Sequence, residues 1–267
     1  MNNSNLSTEH LSLAVYFDAV SKLELLLEAH GNKAAAHIKS NCLVDGRLNG
    51  ELLDRQQLAS FDLAFVAADL AAVRACVAYA EALESDSSAQ SVVLLFCADT
   101  LNTVLTKLIE RTSEFGIDRG HLLSIYQESH VDSLLTYCIS AEFQASVGLT
   151  IVEEDRLRLP SNLGEEKELM GASFFRFAND VVIPLAGAIH RQDLDIPDSI
   201  LKPAAQLGCF GTCIPERFGG LQPDEAPDSL GMIVVTEELS RGSLGAAGSL
   251  ITRPEIAARA LLSGGTK

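Results

Sequence analysis

Apolar residues recur every three to four positions through the first 150 residues, only scattered glycines interrupt them, and no proline precedes Pro160. A period near 3.6 predicts helices, because it lines one face of a helix with side chains that leave water together. The pattern predicts a helix over 11–30 stopped by Gly31, a loop or short hairpin over 42–50, and a long helix over 58–83. In that long helix Phe61, Phe65, Ala68, Ala72, Cys76, Tyr79 and Leu83 form one stripe, expected to face the core, with Asp62, Asp69 and Arg74 off it. Turn and capping residues at 85–89 lead to a helix over 92–115 closed by Gly116 at a C′ position, and a third long helix is expected over 122–147.

The pattern changes near Ile151. Residues 153–167 are charged and contain Pro160 and Gly164, and all eight prolines lie at or beyond this stretch. Charge and chain breakers together predict a linker over 151–164. Beyond it, helices are expected over 165–186, 197–207, 228–241 and 244–262, separated by connections rich in Gly and Pro. The fold class is therefore all-α: a helical-bundle extension over 1–150 and a second helical domain over 165–267.

Composition narrows the classes of function. With 20 basic and 36 acidic residues the formal charge is −16, which repels a polyanion, so nucleic acid is not an expected partner. The longest obvious apolar run, Val92 to Ala98, is broken by Asp99, so no membrane-spanning helix is expected. The start of the chain lacks the basic, apolar and small-residue regions of a secretory signal, so a cytoplasmic location is expected. Six cysteines stand without a C-x-x-C pair. Reduced, mostly buried thiols are expected; Cys209 and Cys213 could share a helix face, but the nearest histidine is His190, too remote to complete a zinc site by sequence.

Several segments invite a chemical reading. Gly242-Ser-Leu-Gly-Ala-Ala-Gly248 follows a helix instead of a strand, and Gly208-Cys-Phe-Gly211 lacks the G-x-G-x-x-G spacing, so neither reads as a dinucleotide loop. Small residues there let helices pack closely or leave room for a ligand. Glu237 and Glu238 diverge by about 100° on a helix and cannot both face one substrate, which favours structural roles. Asp193, Asp195 and Asp198 flank Pro197, which marks a loop leading to a helix start, and capping is the role expected of them. No histidine stands in a zinc or nucleophile motif. Arg253 lies inside an apolar helix, where a guanidinium makes an interhelical salt bridge or receives a substrate carboxylate.

From about Glu165 onward the sequence resembles the N-terminal helical domain of the acyl-CoA dehydrogenases. Phe177-Ala-Asn-Asp-Val-Val-Ile-Pro184 resembles the family's opening helix and Leu207-Gly208 its Leu-Gly turn. Ile214-Pro-Glu-Arg-Phe-Gly-Gly220 resembles the Pro-Glu-aromatic-Gly-Gly turn, and Val235-Thr-Glu-Glu-Leu-Ser-Arg241 the Glu-Glu-Leu helix. Ser263-Gly-Gly-Thr266 is similar to the Gly-Thr before the family's middle domain. The N-terminal extension and residues 231–255 are similar to those of the branch that oxidises methylsuccinyl-CoA. Residues 58–150 also resemble a degenerate copy of the family's C-terminal helical domain, without its catalytic Glu.

The resemblance implies an FAD-dependent enzyme that oxidises a short branched acyl-CoA at its Cα–Cβ bond, works as a homodimer or homotetramer, and passes electrons to an electron-transfer flavoprotein. The flavin loops and the catalytic Glu of the family are expected beyond Lys267, so these residues alone are expected to be inactive and to hold no flavin. By placement on the family's helix, Ala247, Gly248 and Ile251 would line the acyl pocket, with Glu255 next on that face and Arg253 available to a distal carboxylate. The rival expectation is a helical interaction module, or a truncated and inactive product, with no chemistry of its own.

Overall fold

In the computed structural model, residues 12–83, 86–155 and 158–265 are described, and the chain divides into two compact units, Met1–Asn162 and Leu163–Lys267. The first helix, α1 (Leu13–Asn41), does not stop at Gly31 as expected but runs ten residues further. Gly31 is a buried contact instead of a cap: a Cβ there would sit 3.5 Å from Val66 Cγ1, and the following Asn-Lys-Ala-Ala-Ala sequence favours helix. A short hairpin follows, β1 (Leu43–Val44) paired antiparallel with β2 (Arg47–Leu48). Asp45 and Gly46 both take positive φ, 50° and 74°, the geometry an Asp-Gly hairpin turn requires.

After the short α2 (Gly50–Asp54), α3 (Gln57–Ala82) and α4 (Ser87–Glu110) lie against α1 and against each other. α4 is the centre of the unit. Ten of its residues are buried, among them Leu94, Cys97, Leu101, Leu105 and Leu108. Asp86 caps it by accepting a 3.0 Å hydrogen bond from the Ala89 N–H. The expected helix over 92–115 thus begins earlier and is interrupted at Arg111, after which α5 (Thr112–Phe115) ends at the left-handed Gly116. The expected single helix over 122–147 is three: α6 (Arg119–Ile125), α7 (Ser129–Cys138) and α8 (Ala141–Glu153). Asp118 and Ser140, which accept from the backbone N–H groups of His121 and Phe143, restart the chain at α6 and α8. α8 also runs into the segment expected as linker.

The face of α3 assigned to the core is corrected by the structure. Ala59, Val66, Leu70, Val73 and Ala80 are buried, whereas Phe61 and Phe65 are 61% and 47% exposed. Asp62 and Asp69 turn inward, pairing with Arg111 and with Lys107 (3.1 Å) of α4. On its other flank, Arg74 bridges to Glu24 (2.5 Å) and Glu28 (2.6 Å) of α1. Glu24 is buried, and burial pushes its carboxyl above the usual range against the pull of Arg74. A helix apolar nearly all round offers two stripes, and hydrophobicity cannot choose between them.

Length and composition also correct the membrane expectation. Gln57–Ala82, Ser87–Glu110 and Glu165–Gln192 are each long and apolar enough to cross a membrane, because what matters is mean hydropathy over about 20 residues and not an unbroken run.

In the second unit, α9 (Glu165–Phe177) passes through a π-helical turn (Ala178–Val182) into α10 (Ile183–Gln192), six residues beyond the expected end. Pro184 has no N–H to give to the preceding turn, and the wider register takes up that mismatch. α11 (Asp198–Gln206) follows, then α12 (Ser229–Ser243), a second π-helical turn (Leu244–Gly248) and α13 (Ser249–Gly264). Asp193 closes α10 in a left-handed conformation, while Asp198 sits in the first turn of α11 and pairs with Lys202 (2.9 Å), so Pro197 and not an Asp holds the cap position. Phe174, Phe177, Val182, Ile200, Val235, Leu239 and Ile251 form this unit's core. All six cysteines are free thiols and five are buried. Burial pushes the Cys97 and Cys138 thiols up to about 12 and that of Cys209 to about 11.

Replacing Leu70 by Ala should lower the stability of the first unit by about 2–5 kcal/mol, the usual range for a buried Leu. Phe61→Ser should change it by no more than about 0.5 kcal/mol in dilute solution. Urea unfolding followed by circular dichroism compares the two, and the opposite ranking would restore the stripe read from the sequence.

Candidate functional site

The turn 214–220 is built by glycine. Gly219 has φ 82°, and a Cβ on Gly220 would fall 1.9 Å from the Ile214 carbonyl oxygen; only glycine fits. The crossing is fixed by hydrogen bonds from Glu216 N–H to Gln222 O (2.9 Å) and from Gln222 N–H to Ile214 O (3.0 Å). Arg217 pairs with Asp224 at 2.9 Å and lies over the exposed Phe218 ring. This rigid turn leads into α12.

α12 is anchored at both ends. Asp228 accepts from the Gly231 N–H (3.0 Å) as its cap and pairs with Lys167 of α9 at 2.7 Å. The hydrogen bond from Lys167 is the main reason the Asp228 carboxyl is held below its ordinary range. Toward the other end, buried Glu238 pairs with Arg241 (3.1 Å), whose guanidinium lies 4.2 Å over the Phe175 ring and donates to Asn179 Oδ1 (3.1 Å). Glu238 is therefore structural, as its position beside Glu237 suggested.

Between α12 and α13 opens a cleft of about 550 Å³ lined by Ser229, Met232, Ile233, Thr236, Glu237, Glu255 and Arg259. Glu255 and Arg259, one helical turn apart, pair at 2.7 Å. Its lining thus combines two apolar side chains, two hydroxyls, two carboxylates and one guanidinium, the last paired with Glu255. Of the residues singled out in the sequence, Glu237 and Glu255 line it, and of those expected to contact substrate only Glu255 does. Ala247, Gly248 and Ile251 are buried in the core, and the space beside Gly248 is occupied: a Cβ there would meet Ser240 Oγ at 2.8 Å and Leu244 Cδ1 at 3.1 Å. Here these small residues serve close helix packing. Arg253 is exposed and makes no ion pair among the described residues, so the interhelical salt bridge expected for it is not formed. Arg259 and Thr236 were missed; the i,i+4 spacing of Glu255 and Arg259 was the available signal. Among the described residues no cluster of His, Cys, Asp or Glu could hold a metal ion.

Residues 164–267 match the family described as "Acyl-CoA dehydrogenase, N-terminal domain". A (2S)-methylsuccinyl-CoA dehydrogenase from Cereibacter sphaeroides is 31% identical over 267 residues, covering 95% of this chain and 46% of that protein. A glutaryl-CoA dehydrogenase from Desulfococcus multivorans is 33% identical over 82 residues, 31% of this chain and 21% of its own. The chain spans less than half the length of either relative.

Two outcomes follow for the stability of this unit. Gly248→Leu should destabilise it by about 1–3 kcal/mol, the cost of overpacking; unchanged urea unfolding would show open space beside Gly248. Asp228→Asn keeps a capping oxygen but loses the charge. Because the folded carboxyl titrates below its unfolded value, its contribution is present at neutral pH and disappears as pH falls through the folded pKa. The stability gap between wild type and Asp228→Asn should therefore hold from neutral pH down to the ordinary aspartate range, about pH 3.9, and close only below it, as pH falls through the lowered folded value; a gap independent of pH would remove the ion pair from the account.

Proposed function

We propose, from the premise that residues 164–267 are an acyl-CoA dehydrogenase N-terminal domain, that the chain is part of an enzyme oxidising a short branched acyl-CoA thioester, with 2-methylsuccinyl-CoA going to mesaconyl-CoA. The observation that carries this reading is similarity to the Cereibacter protein along 95% of the chain, which takes in the N-terminal extension as well as the family domain. In such an enzyme a base outside these residues would take the proton on Cα, and a bound FAD would supply the two-electron oxidising capacity that the reaction needs. The electrons pass on to an electron-transfer flavoprotein, and the enzyme is a cytoplasmic homo-oligomer.

The residues described here do not fit a flavin site. The α12–α13 cleft offers a dinucleotide diphosphate one guanidinium, already paired with Glu255, and two carboxylates that repel it. No chemical step is assigned to them. What this chain contributes is wall and selectivity: Met232 and Ile233 offer apolar surface in the α12–α13 cleft, and Arg253, exposed on α13 outside that cleft and without an ion pair among the described residues, is the cation proposed for a distal carboxylate. That role fits a dicarboxylic thioester, whose second charge must be met by a cation wherever it is removed from water.

The gene product containing residues 1–267 should reduce an artificial electron acceptor with 2-methylsuccinyl-CoA. Arg253→Met should lower kcat/KM for that substrate by about tenfold or more, equivalent to about 1.4 kcal/mol, and leave a neutral branched acyl-CoA unaffected. Equal loss on both substrates would make Arg253 structural, and no reduction with any short branched acyl-CoA would overturn the assignment.

A further inference from the structure

Inside the first unit, where the first turn of α4 meets α8, lies a cavity of about 440 Å³, within the size range of small-molecule sites. Six of its eleven lining residues are Ser or Thr, so the state of their hydroxyls decides what the wall can recognise. A hydroxyl has one proton and two lone pairs, and four of the six protons are already committed. Ser88 donates to Glu154 Oε1 (2.6 Å), Ser91 to the Ser87 carbonyl (2.8 Å), Ser140 to the Tyr137 carbonyl (2.7 Å) and Thr150 to the Ser146 carbonyl (3.0 Å). What these groups still offer is lone pairs. Glu142 adds a carboxylate that has no hydrogen-bond or ion-pair partner among the described residues, and no Lys, Arg or His among them lines the cavity. The polar side is therefore rich in acceptors, poor in donors and negatively charged. The other side is apolar, formed by Leu13, Val147 and the ring of Phe143, which lies 4.8 Å from that of Tyr137 between centroids. Burial, Cys138 and the Glu142 carboxylate together push the Tyr137 phenol above its ordinary value, so the charge of Glu142 is felt at this aromatic wall.

We propose that this cavity binds a free primary amine in its ammonium form, the head among the Ser and Thr oxygens beside Glu142 and the apolar body against Phe143, Val147 and Leu13. An ammonium carries three N–H groups and no lone pair, the complement of a wall whose own protons are engaged. Its charge is met by the Glu142 carboxylate and by the aromatic faces. An anion fits less well. The N-termini of α4 and α8 border the cavity and attract negative charge, but Asp86 already accepts from the Ala89 N–H (3.0 Å) and Ser140 from the Phe143 N–H (3.1 Å). Glu142 and a formal charge of −16 on the chain oppose an anion further. Residues 1–11, which lead to Leu13, contain no Lys or Arg, so the adjoining stretch of chain supplies no such side chain. The inference is independent of the proposed catalytic role.

Isothermal titration calorimetry of the gene product containing residues 1–267 with phenethylamine at neutral pH should show saturable binding with a Kd of about 1 mM or below. 2-Phenylethanol and phenylacetate keep the ring and spacer but replace the ammonium by a hydroxyl or a carboxylate, and should bind at least about tenfold more weakly. Glu142→Gln should weaken amine binding by about tenfold or more. Ser146→Leu, which fills the cavity without altering its charge, should weaken it as much, and both variants should keep the wild-type circular dichroism spectrum. Ser146→Leu decides the matter should Glu142→Gln fail to fold. Absence of saturable amine binding, binding of the alcohol or the carboxylate as tight as that of the amine, or amine binding indifferent to the variants would each overturn the inference.

Discussion

Burial of α4 is the constraint around which the first unit is arranged. Its buried positions do not form a narrow stripe but extend around most of the helix, from Ala89 and Val93 through Cys97, Ala98, Leu101, Val104 and Leu105 to Ile109. One neighbour cannot remove so much apolar surface from water. α1 and α3 flank it, while the short α5 to α8 close over what remains. Breaking the last third of the unit into pieces is a consequence: a single straight helix over 122–147 would touch α4 along one line, whereas α6, α7 and α8 turn to follow it. Asp118 and Ser140 make the turns possible by satisfying the backbone N–H groups each new helix leaves open.

The second unit relies less on one buried helix than on how α12 is held. Lys167 and Asp228 fix its start, and Glu238 with Arg241 fixes its last turns against Phe175 and Asn179. The two π-helical turns lie at the margins of this assembly, and Gly242 lets α12 pass close to one of them, since a Cβ there would sit 3.1 Å from Ala178. The orientation of the α12–α13 cleft follows from these contacts, as Ser229 and Thr236 lie on the same helix that they anchor.

The all-α class and the hairpin at Asp45-Gly46 were legible because period and turn chemistry depend on neighbours in sequence. The family was legible as well, through short motifs whose glycines answer to strict backbone demands, as at Gly219 and Gly220. The inward face of α3 was not, because both its sides are apolar and the deciding partners, Lys107 on α4 and Arg111 just past its end, lie 38 and 49 residues from Asp69 and Asp62. The run of α1 through Gly31 was hidden for a related reason: a glycine that ends a helix and one that admits Val66 look alike until the partner is placed. At Gly248, small size was compatible with close packing or with room for a ligand, and only the positions of Ser240 and Leu244, which fill the space, decide between them.

The buried thiols give the molecule a built-in set of reporters. A thiol whose proton is held up to about pH 12 presents almost no thiolate near neutrality, and thiolate is the form that reacts with alkylating agents and disulfides. Cys97 and Cys138 belong to the first unit and Cys209 to the second. Chemical modification at these positions therefore tracks transient opening instead of intrinsic nucleophilicity, and mass mapping of the labelled peptides separates the breathing of one unit from that of the other without any engineered probe.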